Sequence, residues 1–117
     1  MIDCTQIQRA SGLWYSAEYS TFSISDEVGK YRLTVAGYSG DAGDAMAAAL
    51  YSTHNANGMK FSTPDSDNDN YPFGGCADSC GHGWWFNVCS ANSMVNGIWT
   101  SVNVVADIQA SRMLVKA

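Results

Sequence analysis

The stretch DSDNDNYPFGGCADSCGHGWWFNVC, residues 65–89, decides what fold this chain adopts. It opens with acidic and amide residues and closes with adjacent aromatic residues and a cysteine. Asp, Asn, Gly and Pro dominate residues 64–83, so regular secondary structure is not expected there. The aromatic run at 84–86 is too apolar for water, because each such side chain buries on the order of 150–250 Å². We therefore predict a long irregular loop whose last part packs into a core.

The acidic part of this loop carries carboxylates on alternate residues, Asp65, Asp67 and Asp69. A curved loop with this pattern directs hard oxygen ligands at Ca²⁺. It is not an EF-hand, because Asn70 stands where that loop requires glycine and Cys76 where it requires glutamate. The same residue types also satisfy the backbone of a solvated acidic turn without metal. The pattern alone leaves both interpretations open.

The cysteines Cys4, Cys76, Cys80 and Cys89 form an even set. In a small loop-rich chain this indicates two disulfides and an oxidising compartment, with three possible pairings. A zinc site formed by Cys76, Cys80, His82 and Cys89 is a weaker alternative, because the spacing lacks the paired CxxC elements of common structural sites. A nucleophilic Cys80 beside His82 is weaker still, because nothing around it matches a known nucleophile setting.

Composition indicates one globular domain over residues 1–117. Apolar residues make up 46% and charged residues 15%, far from the balance of disordered chains. The charge of −5 and the absence of a basic run argue against nucleic acid as a partner. No stretch approaches the ~18 apolar residues of a membrane span, and residues 1–4 do not resemble a signal peptide.

Two strands are predicted at residues 17–24 and 30–36, which are rich in β-branched and aromatic residues. We expect them to be antiparallel neighbours. The polar turn at 25–29 is expected to be closed by Gly29, since glycine tolerates positive φ.

Other elements are shorter. Residues 43–50 are strong helix formers, and Asp41 or Asp44 is available to cap a short helix there. Residues 59–62 suggest one more strand, and residues 111–116 suggest the final one.

An ordered series of motifs resembles the C-terminal half of fibrinogen-related domains, the family of fibrinogen, ficolins, tachylectins and angiopoietins. The series consists of YRLTV at 31–35, GYSGDAGDA at 37–45, NGMKFST at 57–63, the acidic run at 65–70, GWWFNVC at 83–89 and NGI at 96–98. The resemblance implies an α+β fold in shortened form, with a small antiparallel sheet, one or two short helices and a long calcium and disulfide loop region.

The resemblance also implies a calcium site in the acidic loop. It makes Asp67 and Asp69 the side-chain ligands, with backbone carbonyls near Tyr71 and Phe73 completing the shell. Asp65 becomes a supporting acid. Ca²⁺ is the cofactor expected on this basis.

For the cysteines, the resemblance implies a disulfide between Cys76 and Cys89. A second bridge between Cys4 and Cys80 is then a hypothesis, because the family usually has no cysteine at the position of Cys80.

The family's ligand pocket lies beside the calcium loop, where a peptide bond that is commonly cis exposes backbone N–H groups. By the resemblance this bond is Val88–Cys89. The residues expected to form the pocket are Trp84, Trp85, Val88, Cys89, Ser90 and Trp99. At least one of the adjacent tryptophans is expected in the core, since neighbours on an extended backbone face opposite ways. Ser90 stands where the family often has a histidine that helps to form the pocket.

These implications predict a secreted, calcium-dependent recognition module that catalyses no reaction. We expect it to act like a lectin of innate immunity, in pattern recognition of acetylated or acidic glycans. The alternative is a module that binds a protein ligand or receptor without sugar specificity. Because the family elements that this chain lacks would cover apolar surface, a homo-oligomer is also expected.

Overall fold

A five-stranded antiparallel sheet forms the frame of the protein. The computed structural model describes residues 1–49, 51–90, 98–100 and 105–117, with the backbone alone for 98–100 and 105–107. The strands are β1 (Ile2–Arg9), β2 (Trp14–Ile24), β3 (Leu33–Gly40), β4 (Ile98–Thr100) and β5 (Val105–Lys116). Their order across the sheet is β3-β2-β1-β5-β4, and every neighbouring pair is antiparallel.

Helical structure in the described ranges is limited to two short segments. One is a 3-10 turn at Ser52–His54, and the other is helix α1 at Cys76–Cys80. Among the described residues, no helix is long and apolar enough to cross a membrane. The predicted α+β fold, with a small antiparallel sheet, one or two short helices and a long loop region, is confirmed.

Strand β1 occupies the centre of the sheet and was not predicted. Its side chains alternate, with Asp3, Thr5 and Ile7 buried and their neighbours directed to the opposite face. Two of the three buried residues are polar, so the apolar alternation that marks a half-buried strand is missing from the sequence.

Strands β2 and β3 are antiparallel neighbours, as predicted. The turn between them differs from the expectation, because positive φ angles occur at Lys30 (57°) and Tyr31 (55°) and not at Gly29. Glycine is still required at position 29, where a Cβ atom would lie 2.3 Å from the Ser25 hydroxyl oxygen. Gly29 therefore permits a close approach and does not supply the left-handed backbone.

The helix predicted at residues 43–50 is wrong over the described residues, which form a turn. Asp44 does cap it, since its carboxylate accepts the Ala47 N–H at 3.1 Å. The Ala49 N–H, however, is donated to the side-chain oxygen of Asn55 at 2.8 Å. This bond replaces the helical one, so the chain leaves the helical path after one turn.

The strand predicted at residues 59–62 is also wrong, apart from a single bridge between Ser62 and Trp84. The backbone of this segment bonds instead to the β2–β3 connection. Phe61 N–H is donated to the Lys30 carbonyl at 3.0 Å, and Leu33 N–H to the Met59 carbonyl at 2.9 Å. The final strand predicted at 111–116 is confirmed, and it begins earlier, at Val105.

The hydrophobic core combines one face of the sheet with the long loop region. From the strands it takes Ile7, Ala17, Tyr19, Phe22, Leu33 and Val35, from α1 Cys76 and Ala77, and from the loops Ala42, Ala45, Met46, Ala56, Trp84, Trp85 and Phe86. The aromatic run at 84–86 thus packs inward, as predicted. These residues form one cluster, and the single domain over 1–117 stays a prediction.

Strand β1 carries a buried carboxylate. Asp3 has 0% exposure, and its Oδ2 accepts the Thr5 hydroxyl at 2.9 Å. Its Oδ1 has no hydrogen-bond partner among the described residues. Burial raises the pKa of Asp3 from 3.8 to about 6, against the smaller lowering effect of the Thr5 hydrogen bond.

We expect Asp3 to make the stability of the fold depend on pH. A carboxyl group with a raised folded-state pKa stabilises the fold while protonated, fully below pH 3.8, and this contribution is lost as pH rises through about 6. The free energy of unfolding of Asp3→Asn minus that of the wild type should therefore increase by about 1–2 kcal/mol from pH 4 to pH 7, allowing for solvent screening. Urea unfolding across this pH range measures it, and parallel pH profiles for the two proteins would contradict it.

Candidate functional site

A disulfide closes the long loop. Cys76 and Cys89 are bonded, with their Cα atoms 5.3 Å apart and a sequence separation of 13, so the pairing implied by the resemblance is confirmed. The closed segment contains α1 and the aromatic run at 84–86. Because two of the four proposed zinc ligands are crosslinked, the alternative of a zinc site is wrong.

The second bridge, between Cys4 and Cys80, is wrong, because both cysteines are free. Cys4 points to the sheet face opposite the core, where its Sγ lies 3.7 Å from a Glu18 carboxylate oxygen. Cys80 packs against the core on the other side of the sheet. Burial, and secondarily Glu18, raise the pKa of the Cys4 thiol, which stays protonated near neutral pH.

Two carboxylates of the acidic loop lie along residues 69–76, the segment that leads into the disulfide. The Asp69 carboxylate accepts the N–H groups of Tyr71 and Cys76, each at 2.8 Å. One oxygen of Asp67 accepts the Asp69 N–H at 3.2 Å, and the other would lie 3.6 Å from a Cβ atom on Gly75. The two side chains are thus held along the segment that leads into the crosslink.

The other residues of the predicted calcium shell are Asp65, Tyr71 and Phe73. Asp65 is exposed and accepts the Thr63 hydroxyl at 2.8 Å. No group of three or more His, Cys, Asp or Glu side chains in the described part of the chain is placed to hold a metal ion. The rings of Tyr71 and Phe73 are in edge contact, 5.9 Å between centroids. A cation here would therefore depend on Asp67, Asp69 and backbone oxygens, a hard-donor set that suits Ca²⁺.

The tryptophans expected to wall the ligand pocket both belong to the core. Trp84 is 7% and Trp85 9% exposed, and their ring centroids lie 5.1 Å apart. The prediction that at least one of them lies in the core is confirmed. The expectation that they face opposite ways is wrong, because residues 84–86 do not form a regular strand. The Trp85 indole N–H is donated to the Tyr31 carbonyl at 2.9 Å, so its polar atom is also occupied inside the fold.

The backbone at Val88 and Cys89 also differs from the expected ligand site. Their peptide bond is trans, and Cys89 instead has a positive φ of 46°. Val88 N–H is donated to the Thr53 carbonyl at 2.9 Å, and Cys89 N–H is directed at the Cys76 sulfur at 3.1 Å. These two N–H groups therefore serve the loop itself. Ser90 is partly buried, and the side chain of Trp99 lies outside the described residues.

Sequence reasoning missed a groove between the β2–β3 turn and the acidic loop. It consists of two cavities, of about 280 Å³ and 190 Å³, that share Asn68. Lys30 lines the first cavity, and Arg32 and Lys60 line the second. These basic residues are separated by up to thirty positions along the chain, so no local pattern reveals that they meet.

An antiparallel sheet that carries an acidic loop, followed by a segment closed by a disulfide, defines a small domain. The chain belongs to the family of the fibrinogen beta and gamma chains, C-terminal globular domain, whose family model matches residues 3–109. This confirms the resemblance in the sequence.

Relatives of known sequence agree. The chain is 41% identical to rat fibrinogen-like protein 1 over 105 residues, which cover 84% of this chain and 31% of that protein. It is 38% identical to the human fibrinogen gamma chain over 104 residues, or 80% of this chain and 22% of that protein. The chain therefore spans less than a third of these relatives.

Solved structures agree as well. The fibrinogen-like globe domain of human ANGPTL6 has a TM-score of 0.75 at 28% identity, over 96% of this chain and 54% of that chain. Lamprey fibrin D-dimer, complexed with the peptide ligand Gly-His-Arg-Pro-amide, has a TM-score of 0.75 at 33% identity, over 84% of this chain and 32% of that chain.

Proposed function

We propose that the chain is a calcium-dependent recognition module that catalyses no reaction. The observation that carries this proposal is the position of Asp67 and Asp69, whose carboxylates lie along the segment leading into the Cys76–Cys89 disulfide. Bound Ca²⁺ would neutralise these two charges and stiffen the loop. The loop would then present a fixed surface to a ligand, which lowers the entropic cost of binding.

The disulfide also supports an extracellular location. Crosslinks of this kind persist in oxidising compartments and are rare in the cytosol. We therefore place the module among secreted proteins.

The ligand is proposed to be an acetylated or acidic glycan, as in a lectin of innate immunity. A protein or peptide ligand is the second candidate, and the solved lamprey relative with its bound peptide favours it. A glycan array with and without a calcium chelator separates the two. Chelator-sensitive binding of such glycans supports the first, and binding that peptides but not sugars displace supports the second.

Self-association is proposed on the outer face of the sheet. Ile2, Trp14 and Leu114 are 50%, 43% and 56% exposed there. The Arg112 guanidinium covers part of this surface, 4.6 Å from the centroid of the Trp14 ring. The remaining apolar area favours contact with a second copy.

Calcium binding should depend on Asp67 much more than on Asp65. Asp67→Asn removes one charged ligand from the two-carboxylate set, so we expect calcium affinity to fall about tenfold or more. Asp65→Asn is the matched control, because Asp65 bonds to Thr63 and not to the segment near the disulfide, and its affinity should change less than about threefold. Titration calorimetry measures both. If the wild type gives no heat of binding on addition of calcium, or if the two variants lose calcium affinity equally, the calcium proposal is wrong.

A further inference from the structure

A polar groove lies beside the β2–β3 turn and is lined by residues of that turn, of the acidic loop and of the segment between them. Tyr31 and Phe61 line its first cavity together with Lys30, and Arg32 and Lys60 line the second. Asn68 joins the two. Asn68 lies between Asp67 and Asp69 in sequence, yet its amide bonds to Lys30 and Phe61 while their carboxylates face the disulfide segment.

The groove concentrates positive charge on an acidic protein. Three of the six basic residues line it against one acidic residue, Glu27 in the first cavity, although the chain has a net charge of −5. Lys30 directs one of its donors at Asn68 Oδ1, 3.1 Å away, and an Arg32 N–H is donated to the Gly58 carbonyl at 2.6 Å. Ammonium and guanidinium groups have three and five donors, so these tethers fix their position without using their full capacity.

The backbone that carries Lys30 and Tyr31 is strained. Both residues have left-handed φ angles, of 57° and 55°, which side chains other than glycine rarely adopt. The surrounding fold enforces this conformation: the Phe61 N–H is donated to the Lys30 carbonyl at 3.0 Å, and the Trp85 indole N–H to the Tyr31 carbonyl at 2.9 Å. Strain held in this way is typical of ligand sites, because it fixes side chains in a binding geometry.

We infer that this groove binds an anionic saccharide, a small sugar unit that carries sulfate or carboxylate groups. Lys30, Arg32 and Lys60 would take the anionic groups by charge-assisted hydrogen bonds. The partly exposed Tyr31 ring offers an apolar surface for the sugar ring. The NH2 groups of Asn68 and Asn70 bond within the fold, so these two side chains would serve sugar hydroxyls through their oxygens, as acceptors. This inference extends the acidic-glycan ligand proposed above to a second site. None of the predicted calcium ligands lines that site, so binding there would not need the metal.

To test this, the isotope-labelled protein is titrated with a sulfated heparin disaccharide in the presence of EDTA, and the backbone NMR chemical shifts are recorded at each step. We expect shift changes centred on residues 30–32, 60–61 and 68, and an affinity about tenfold weaker for Lys30→Gln and for Arg32→Gln. Lys116→Gln, at the end of β5, is the matched control and should bind like the wild type. Unchanged spectra, or shifts confined to other residues, would overturn the inference.

Two further arms separate a site from non-specific charge effects. The desulfated, N-acetylated disaccharide, which keeps its carboxylate, should bind more weakly but at the same residues, and inorganic sulfate at equal concentration should not reproduce the shifts. Equal shifts with sulfate alone would mean that no sugar is recognised. Lys30→Gly should raise Tm by a few degrees, because it relieves the left-handed backbone, yet lose binding as Lys30→Gln does. A Lys30→Gly protein that binds as well as wild type would contradict a ligand role for this residue.

Discussion

Replacing Cys76 and Cys89 together by serine should lower the free energy of unfolding by about 3 kcal/mol, the loss expected when a crosslink over a loop of this size is removed. The two residues are 13 positions apart, and Cys76 is fully buried. The crosslink also fixes the Cys76 N–H, which is donated to Asp69. The variant should therefore lose calcium affinity as well as stability. Urea unfolding and calcium calorimetry of the same samples measure both effects.

The free cysteines provide the control for this experiment. Cys4→Ser combined with Cys80→Ser leaves the crosslink intact, so the free energy of unfolding should change by less than about 1 kcal/mol. Adding a reductant should destabilise this control to the level of the Cys76 and Cys89 variant. If the control instead loses as much stability as that variant under oxidising conditions, the pairing described here is wrong.

Strands β2 and β3 were predictable because their buried positions carry apolar residues, such as Leu33 and Val35. Strand β1 was not, because its buried positions include Asp3 and Thr5. The failed helix at 43–50 had high helix propensity, and a hydrogen bond from Ala49 to the distant Asn55 overrode it.

The candidate site was also predictable only in part. Resemblance to a family supplied the Cys76–Cys89 pair, since a disulfide partner cannot be read from four cysteines alone. The groove around Asn68 was out of reach, because its basic side chains come from separate segments that only the folded chain brings together. The misplaced tryptophans failed for a local reason: side-chain alternation was applied to residues 84–86, which are not a strand.

Trp85 connects the core to the strained turn, and its replacement should have the largest effect of any single substitution proposed here. Its ring is in edge contact with Phe22 and Phe61, at centroid distances of 6.3 Å and 5.3 Å, and it is 9% exposed. Trp85→Ala should lower the free energy of unfolding by about 3–5 kcal/mol, through lost burial and the cavity left behind. Trp14→Ala, on the outer face of the sheet, is the control and should cost less than about 1 kcal/mol.

Trp85→Phe tests the second role of this residue. Phenylalanine keeps much of the ring contact with the core but cannot donate to the Tyr31 carbonyl, so the turn loses one of the bonds that hold its left-handed backbone. We expect a loss of about 1–3 kcal/mol, together with NMR shift changes that extend from position 85 to Lys30 and Tyr31. Should those changes stop at the core residues, the indole N–H does not brace the turn. The left-handed backbone would then be held by the Phe61 N–H bond to Lys30 and by the hydrogen bonds of the turn itself.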